Sequence, residues 1–219
     1  MQCPYCQGET PDGSTRCTRC GSAINAPVTA APAASSYQSN FGDQFNAALI
    51  IWKMNLADLA VLTLVFLLVS WIPIANIGFI AGYIRSTLKV ARGEGRAEVG
   101  DLFNAWDCFG NLLVYLVVLV IAGAILGLVP ILGTIAAMAL GFLAMPGMYA
   151  IIDRKRDLVG AIQWSISTIK ANPANWLLSY IVSYVITVVG FILLIIGAIV
   201  TLPLGSLILN LQYENNKPD

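Results

Sequence analysis

The chain has 219 residues, of which 58% are apolar and only 11% charged, and its mean hydropathy is +0.76. Soluble domains carry about 25% charged residues, so this chain lacks the side chains to wet a water-facing surface and reads as an integral membrane protein. Twelve basic residues cancel twelve acidic ones, which gives nucleic acid no excess charge to meet. The absence of histidine removes the commonest general base, proton relay and imidazole metal ligand.

The first element, residues 1–24, contains four of the five cysteines: Cys3-Pro4-Tyr5-Cys6, ten residues, then Cys17-Thr18-Arg19-Cys20-Gly21. Two Cys-x-x-Cys turns facing each other place four thiolates tetrahedrally, the geometry Zn²⁺ prefers. So short a segment cannot build a sufficient core, and the metal has to supply its folding energy. The expectation is a small zinc ribbon with one Zn²⁺ on Cys3, Cys6, Cys17 and Cys20, with iron in the same four-sulfur site as the alternative metal. Four protein ligands leave no open position, so the site is structural and not hydrolytic. A pair of disulfides in an exported tail is the competing reading, and a cytoplasmic N-terminus opposes it. Cys108 stands apart and reads as a small buried apolar residue.

Residues 25–44 are rich in alanine, proline and serine, with Asp43 their only charge, and read as a flexible tether. Residues 45–213 then form an all-α membrane domain, followed by a polar tail at 214–219. Three charge-free stretches, 59–84, 108–152 and 171–213, are 26, 45 and 43 residues long. A spanning helix needs about 20 apolar residues, so the second and third each hold two, turning near Pro130 and at 190–197. The first turns near Pro73, but its arms reach full length only if extended back to about Ala47 and on to about Ala91. One kinked span or a re-entrant hairpin is the alternative. Basic residues gather at Arg85, Lys89, Arg92 and Arg96 and at Arg154, Lys155, Arg156 and Lys170, whereas the turns at Pro73, Pro130 and 190–197 have none. Basic short loops stay cytoplasmic, so six helices in three hairpins put both termini in the cytoplasm.

A weak repeat accompanies the hairpins. Each follows a semi-polar segment with an asparagine (Asn55, Asn111, Asn175), and Asn111 to Tyr149 and Asn175 to Tyr213 are both 38 residues apart. Leu158, Ile162, Ile166 and Ile169 recur at helical spacing, and Asp101 reads as an N-cap for Leu102, Phe103 and Trp106, giving two helices along the membrane surface. Asn172-Pro173 ends one helix and opens the next.

No ionisable residue lies in the hydrocarbon region of the last four helices, which leaves Asp58, beside Lys53 or Arg85, as the one candidate at depth. Uncharged polar groups remain at Asn76, Thr134, Ser179, Ser183, Thr187 and Asn210. The series Ser179, Ser183, Thr187 lies on one helix face and reads as a packing surface. Arg85, Lys89, Arg92 and Arg96 recur at helical spacing and are candidate contacts for anionic lipid headgroups, beside their ordinary role in topology.

The cysteine pattern, with Ala91-Arg92-Gly93-Glu94 followed by Asp101-Leu102-Phe103, resembles a family of uncharacterised prokaryotic membrane proteins that join an N-terminal zinc ribbon to a multi-helix hydrophobic domain of unknown function. The resemblance implies a prokaryotic plasma membrane protein and brings no activity with it. The residues themselves favour a non-enzymatic module whose ribbon recruits or senses a protein partner. A transporter or lipid-handling subunit is the alternative. A pocket lined by Ser179, Ser183 or Asn210 would favour that alternative, and a packed core would favour the module.

Overall fold

The computed structural model describes residues 40–129 and 131–217, except for the side chains of residues 194–196. The expected ribbon with Cys3, Cys6, Cys17 and Cys20, most of the tether and the last two residues of the tail lie outside the described residues. The described chain is helical, without a strand. Its elements are α1 (Phe41–Met54), α2 (Leu56–Val69), α3 (Ala75–Ala91), two 3-10 turns (Val99–Phe103 and Trp106–Cys108), α4 (Phe109–Gly127), α5 (Leu132–Arg154), α6 (Leu158–Ala171), α7 (Pro173–Ile192) and α8 (Leu194–Asn216). Among the described residues, three helices are long and apolar enough to cross a bilayer: Val99–Gly127 taken with its leading turns, Leu132–Arg154 and Pro173–Ile192. The pair α1 and α2 would add a fourth only as a broken span.

Three units follow one another, each a short leading element and then a hairpin: α1 before α2 and α3, the 3-10 turns before α4 and α5, α6 before α7 and α8. Asn55 separates leader from hairpin in the first unit and Asn172 in the third. Asn111 and Asn175, which the sequence pairs with Asn55, lie inside α4 and α7 instead.

The helix begins at Phe41, so the tether ends before residue 44. The first arm does not extend back to Ala47 as one rod, because α1 and α2 meet at 86°. Asn55 causes the break. Its φ of −116° leaves the helical region, and its Nδ2 donates to Ile51 O at 2.9 Å in competition with the backbone ladder. The 14 residues of α2 rise about 21 Å, short of a hydrocarbon layer of about 30 Å.

Two apolar cores lie on either side of α3. Ala81, Ile84 and Leu88 face one, with Leu112 and Tyr115 of α4, Tyr149 to Ile152 of α5, Trp164 of α6 and Trp176 of α7. Tyr83 and Val90 face the other, with Ala48, Leu59, Leu62, Leu207 and Ile208. Helix α8 also contributes to both. Close approach is set by glycines. A Cβ on Gly82 would stand 2.5 Å from Leu102 Cα, and one on Gly197 2.4 Å from Gly190 O, so no larger residue fits either contact without moving backbone.

Each of the two prolines inside a described helix has a neighbour's side-chain donor on a carbonyl within three residues of it, where the ring removes a ladder hydrogen bond. Beside Pro146, Tyr115 donates to Ala144 O at 2.7 Å and Ser165 donates to Leu143 O. Beside Pro203, the Trp52 indole donates to Val200 O at 2.9 Å.

Helix α6 packs on α5 through Ala161, Trp164, Ser165 and Thr168, while of the expected stripe Ile162 and Ile166 are exposed, Leu158 is half-buried and Ile169 is buried. Asp101 is not an N-cap. Glu98 caps the turn, and Asp101, three residues inside it, accepts from the Glu98 N–H at 3.2 Å.

Candidate functional site

The cations of the first hairpin base are drawn together by neighbouring carboxylates. Arg85 forms a forked pair with Asp107, at 2.5 and 3.2 Å, and also donates to Ile152 O at the end of α5. Lys89 lies 2.8 Å from Asp101, which also accepts from Ser86 at 2.6 Å. Arg92 bridges Asp153 of α5 and Glu214 of α8, both at 2.7 Å. Tyr213 completes this group by donating to Asp153 at 2.8 Å. Burial alone would lower the Arg92 pKa, but the hydrogen bonds to Asp153 and Glu214 outweigh it and the guanidinium is held charged well above its usual range. Arg96 lies 3.7 Å from Asp58 and is 76% exposed, so Asp58 has Arg96 as its partner and not Lys53 or Arg85.

These four residues, the candidate lipid contacts, pair with carboxylates of the same chain: Arg85, Lys89 and Arg92 tie the end of α3 to both 3-10 turns, to α5 and to α8, and Arg96 in the loop that follows reaches α2. Sequence reasoning missed Asp153 and Glu214 as partners. The signal available was their position, each just beyond the end of a long charge-free stretch.

The hydroxyl face of α7 packs helices together. Ser183 donates to Gly205 O at 2.6 Å, and Thr187 turns back to Ser183 O at 2.8 Å. Ser179 joins two buried amides that the sequence did not single out: Gln44 donates to it at 3.0 Å, and it donates to Gln212 at 3.4 Å. Asn210 is fully buried, and neither its amide nitrogen nor its oxygen has a partner. Cys108 is buried, its thiol donating to Ala105 O at 3.3 Å. Among the described residues, no group of three or more histidine, cysteine, aspartate or glutamate side chains is placed to hold a metal ion.

Between α2, α3, α5, α7 and α8 lies an open cavity of about 190 Å³, lined by Phe66, Ile80, Tyr83, Ile84, Met145, Met148, Tyr149, Ser183, Thr187, Leu202, Ser206 and Leu209. Tyr149 stacks on Tyr213, ring centroids 5.3 Å apart, where α5 and α8 touch. The arrangement offers apolar volume and hydroxyls, without an acid or base among the lining side chains. Comparison with family models, with curated proteins and with solved structures returns no match.

Proposed function

We propose that the chain is a non-enzymatic membrane module of the prokaryotic plasma membrane, whose N-terminal ribbon, built by Cys3, Cys6, Cys17 and Cys20 around one Zn²⁺, recruits or senses a cytoplasmic protein. In this reading the broken pair α1 and α2, together with α3 and α8, joins the three apolar helices to make six spans in three hairpins, with both termini in the cytoplasm. One observation carries the reading: the cations at the base of α3 are tied to carboxylates from five other elements, which makes that face a rigid platform and leaves the cavity without an ionised group. A proton- or ion-coupled carrier keeps an ionisable residue at mid-membrane, and an enzyme needs a base near its substrate. The test uses the full chain with Cys17→Ser and Cys20→Ser, purified from native membranes. Loss of the co-purifying cytoplasmic protein, with the membrane part still inserted, supports the module. An unchanged set of partners overturns it.

A second reading, a transporter or lipid-handling subunit, is favoured by the cavity itself, because Ser183 is among its lining residues.

A further inference from the structure

We propose that this cavity holds the end of one acyl chain of a bilayer phospholipid. The inference rests on the lipid-handling reading, to which it adds the ligand.

The chemistry of the wall selects the occupant. Every hydroxyl that reaches the cavity already has a partner in the chain. Tyr83 pairs with Thr63 at 3.0 Å, Ser206 with Thr87 at 3.1 Å and with Tyr149, and Ser183 and Thr187 with backbone carbonyls. The buried polar atoms without partners belong to Gln44, Asn76, Trp176, Thr201, Asn210 and Gln212, none of which lines the cavity. A buried water needs two to four polar partners, and a polar solute that accepts hydrogen bonds needs free donors. This wall has its hydroxyl donors already engaged and keeps only scattered acceptor lone pairs. It offers instead two methionines, Met145 and Met148, whose unbranched thioethers adapt to an irregular apolar shape. The volume of about 190 Å³ exceeds the roughly 150 Å³ of a dry apolar cavity that takes up benzene. The cavity is open, and two of the helices that line it, α5 and α7, expose Leu143, Tyr184 and Val188 to the surroundings. In a bilayer the surroundings of these two apolar helices are hydrocarbon. An acyl chain entering sideways leaves its headgroup at the interface and brings only methylenes to the cavity.

The test places the full chain in vesicles of phosphatidylethanolamine and phosphatidylglycerol containing a phosphatidylcholine with a diazirine at the end of one acyl chain. After illumination, adducts are mapped by peptide. The expected result is labelling of Met145 and Met148. Leu202→Phe, which fills the cavity, should lower it several-fold, and Val120→Phe on the exposed face of α4 should not. A phospholipid with its diazirine in the headgroup should leave both methionines unlabelled. Labelling confined to outward residues of the wild-type chain, or equal labelling of Met148 by the two probes, overturns the proposal whether or not the variants fold. Movement of a headgroup-labelled phospholipid between leaflets, followed in the same vesicles, separates the two ideas. Labelling without movement upholds the site and overturns lipid handling. Movement without labelling does the reverse.

Discussion

At the scale of single residues, Arg92 at the end of α3 and Arg96 in the loop beyond it carry the same charge and are expected to matter unequally. Arg92 is mostly buried between two carboxylates that are themselves mostly covered. Arg92→Ala leaves both anions facing each other with reduced access to water, and should cost about 2 kcal/mol or more. The Arg96 pair is exposed and longer, and Arg96→Ala should cost well under about 1 kcal/mol. Thermal unfolding of the two variants in one detergent measures the difference, and equal melting temperatures would remove Arg92 from its central place. Gly82 allows a second check. Its missing Cβ leaves room for the Leu102 backbone, so Gly82→Ala must push the 3-10 turn away and should destabilise by about 1–3 kcal/mol. Gly110 has nothing within 4 Å of a Cβ, and Gly110→Ala at that position should be near neutral.

Among the elements, α5 and α8 each carry a proline in their interior and a neighbour's side-chain donor close to it. Trp52→Phe removes the donor to Val200 O and keeps most of the packing, and should cost about 0.5–1.5 kcal/mol, the net worth of one hydrogen bond. Pro203→Ala restores an N–H donor to the Ile199 carbonyl and removes the ring beside Val200 O. A double-mutant cycle should therefore show Trp52→Phe to be less costly in the Pro203→Ala background, with a coupling of about 0.5 kcal/mol or more. Strict additivity would mean that indole and proline act apart. Element positions were largely legible in the sequence. Residues 158–171 and the boundary at Asn172-Pro173 follow from apolar spacing and proline chemistry. What was not legible was which side chains pack within the protein. In α6 Ala161, Trp164, Ser165 and Thr168 are covered, while Ile162 and Ile166 of the apolar stripe are exposed. The most hydrophobic span, Val99–Gly127, has only 11% of its apolar window buried. By contrast α3, which carries Gly78, Gly82 and Ser86 beside its cations, is surrounded. Hydropathy reports where a helix sits, and small residues report which side packs. The four cations were legible as a group, but their carboxylate partners stand up to 122 residues away, and Asp153 and Glu214 are marked only by their place at the ends of charge-free stretches.

For the whole molecule, the proposed arrangement predicts a sidedness. On a background without native cysteines, a single cysteine placed at residue 130 should react with a membrane-impermeant maleimide in intact cells, and one at residue 155 should react only after lysis. The opposite pattern would invert the molecule. The proposed ribbon predicts one zinc per chain, lost together with Cys3→Ser and Cys6→Ser and retained in Cys108→Ser. Metal analysis finding no zinc in the purified wild type would remove it. Since residues 38–219 form one compact unit among themselves, loss of the metal should leave the melting transition of the helical part in place.

The pairing of α3 also has a consequence in time. Ribosomes deliver the first hairpin long before its counter-ions: Asp107 follows Arg85 by 22 residues, Asp153 follows Arg92 by 61, and Glu214 follows it by 122. During synthesis Arg92 waits through 61 residues for its first carboxylate, Asp153, and through 122 for its second, Glu214. A chain that stops short of Glu214 thus holds the guanidinium with one carboxylate in place of two, and such truncated chains should be shorter-lived in the cell than the chain that includes it.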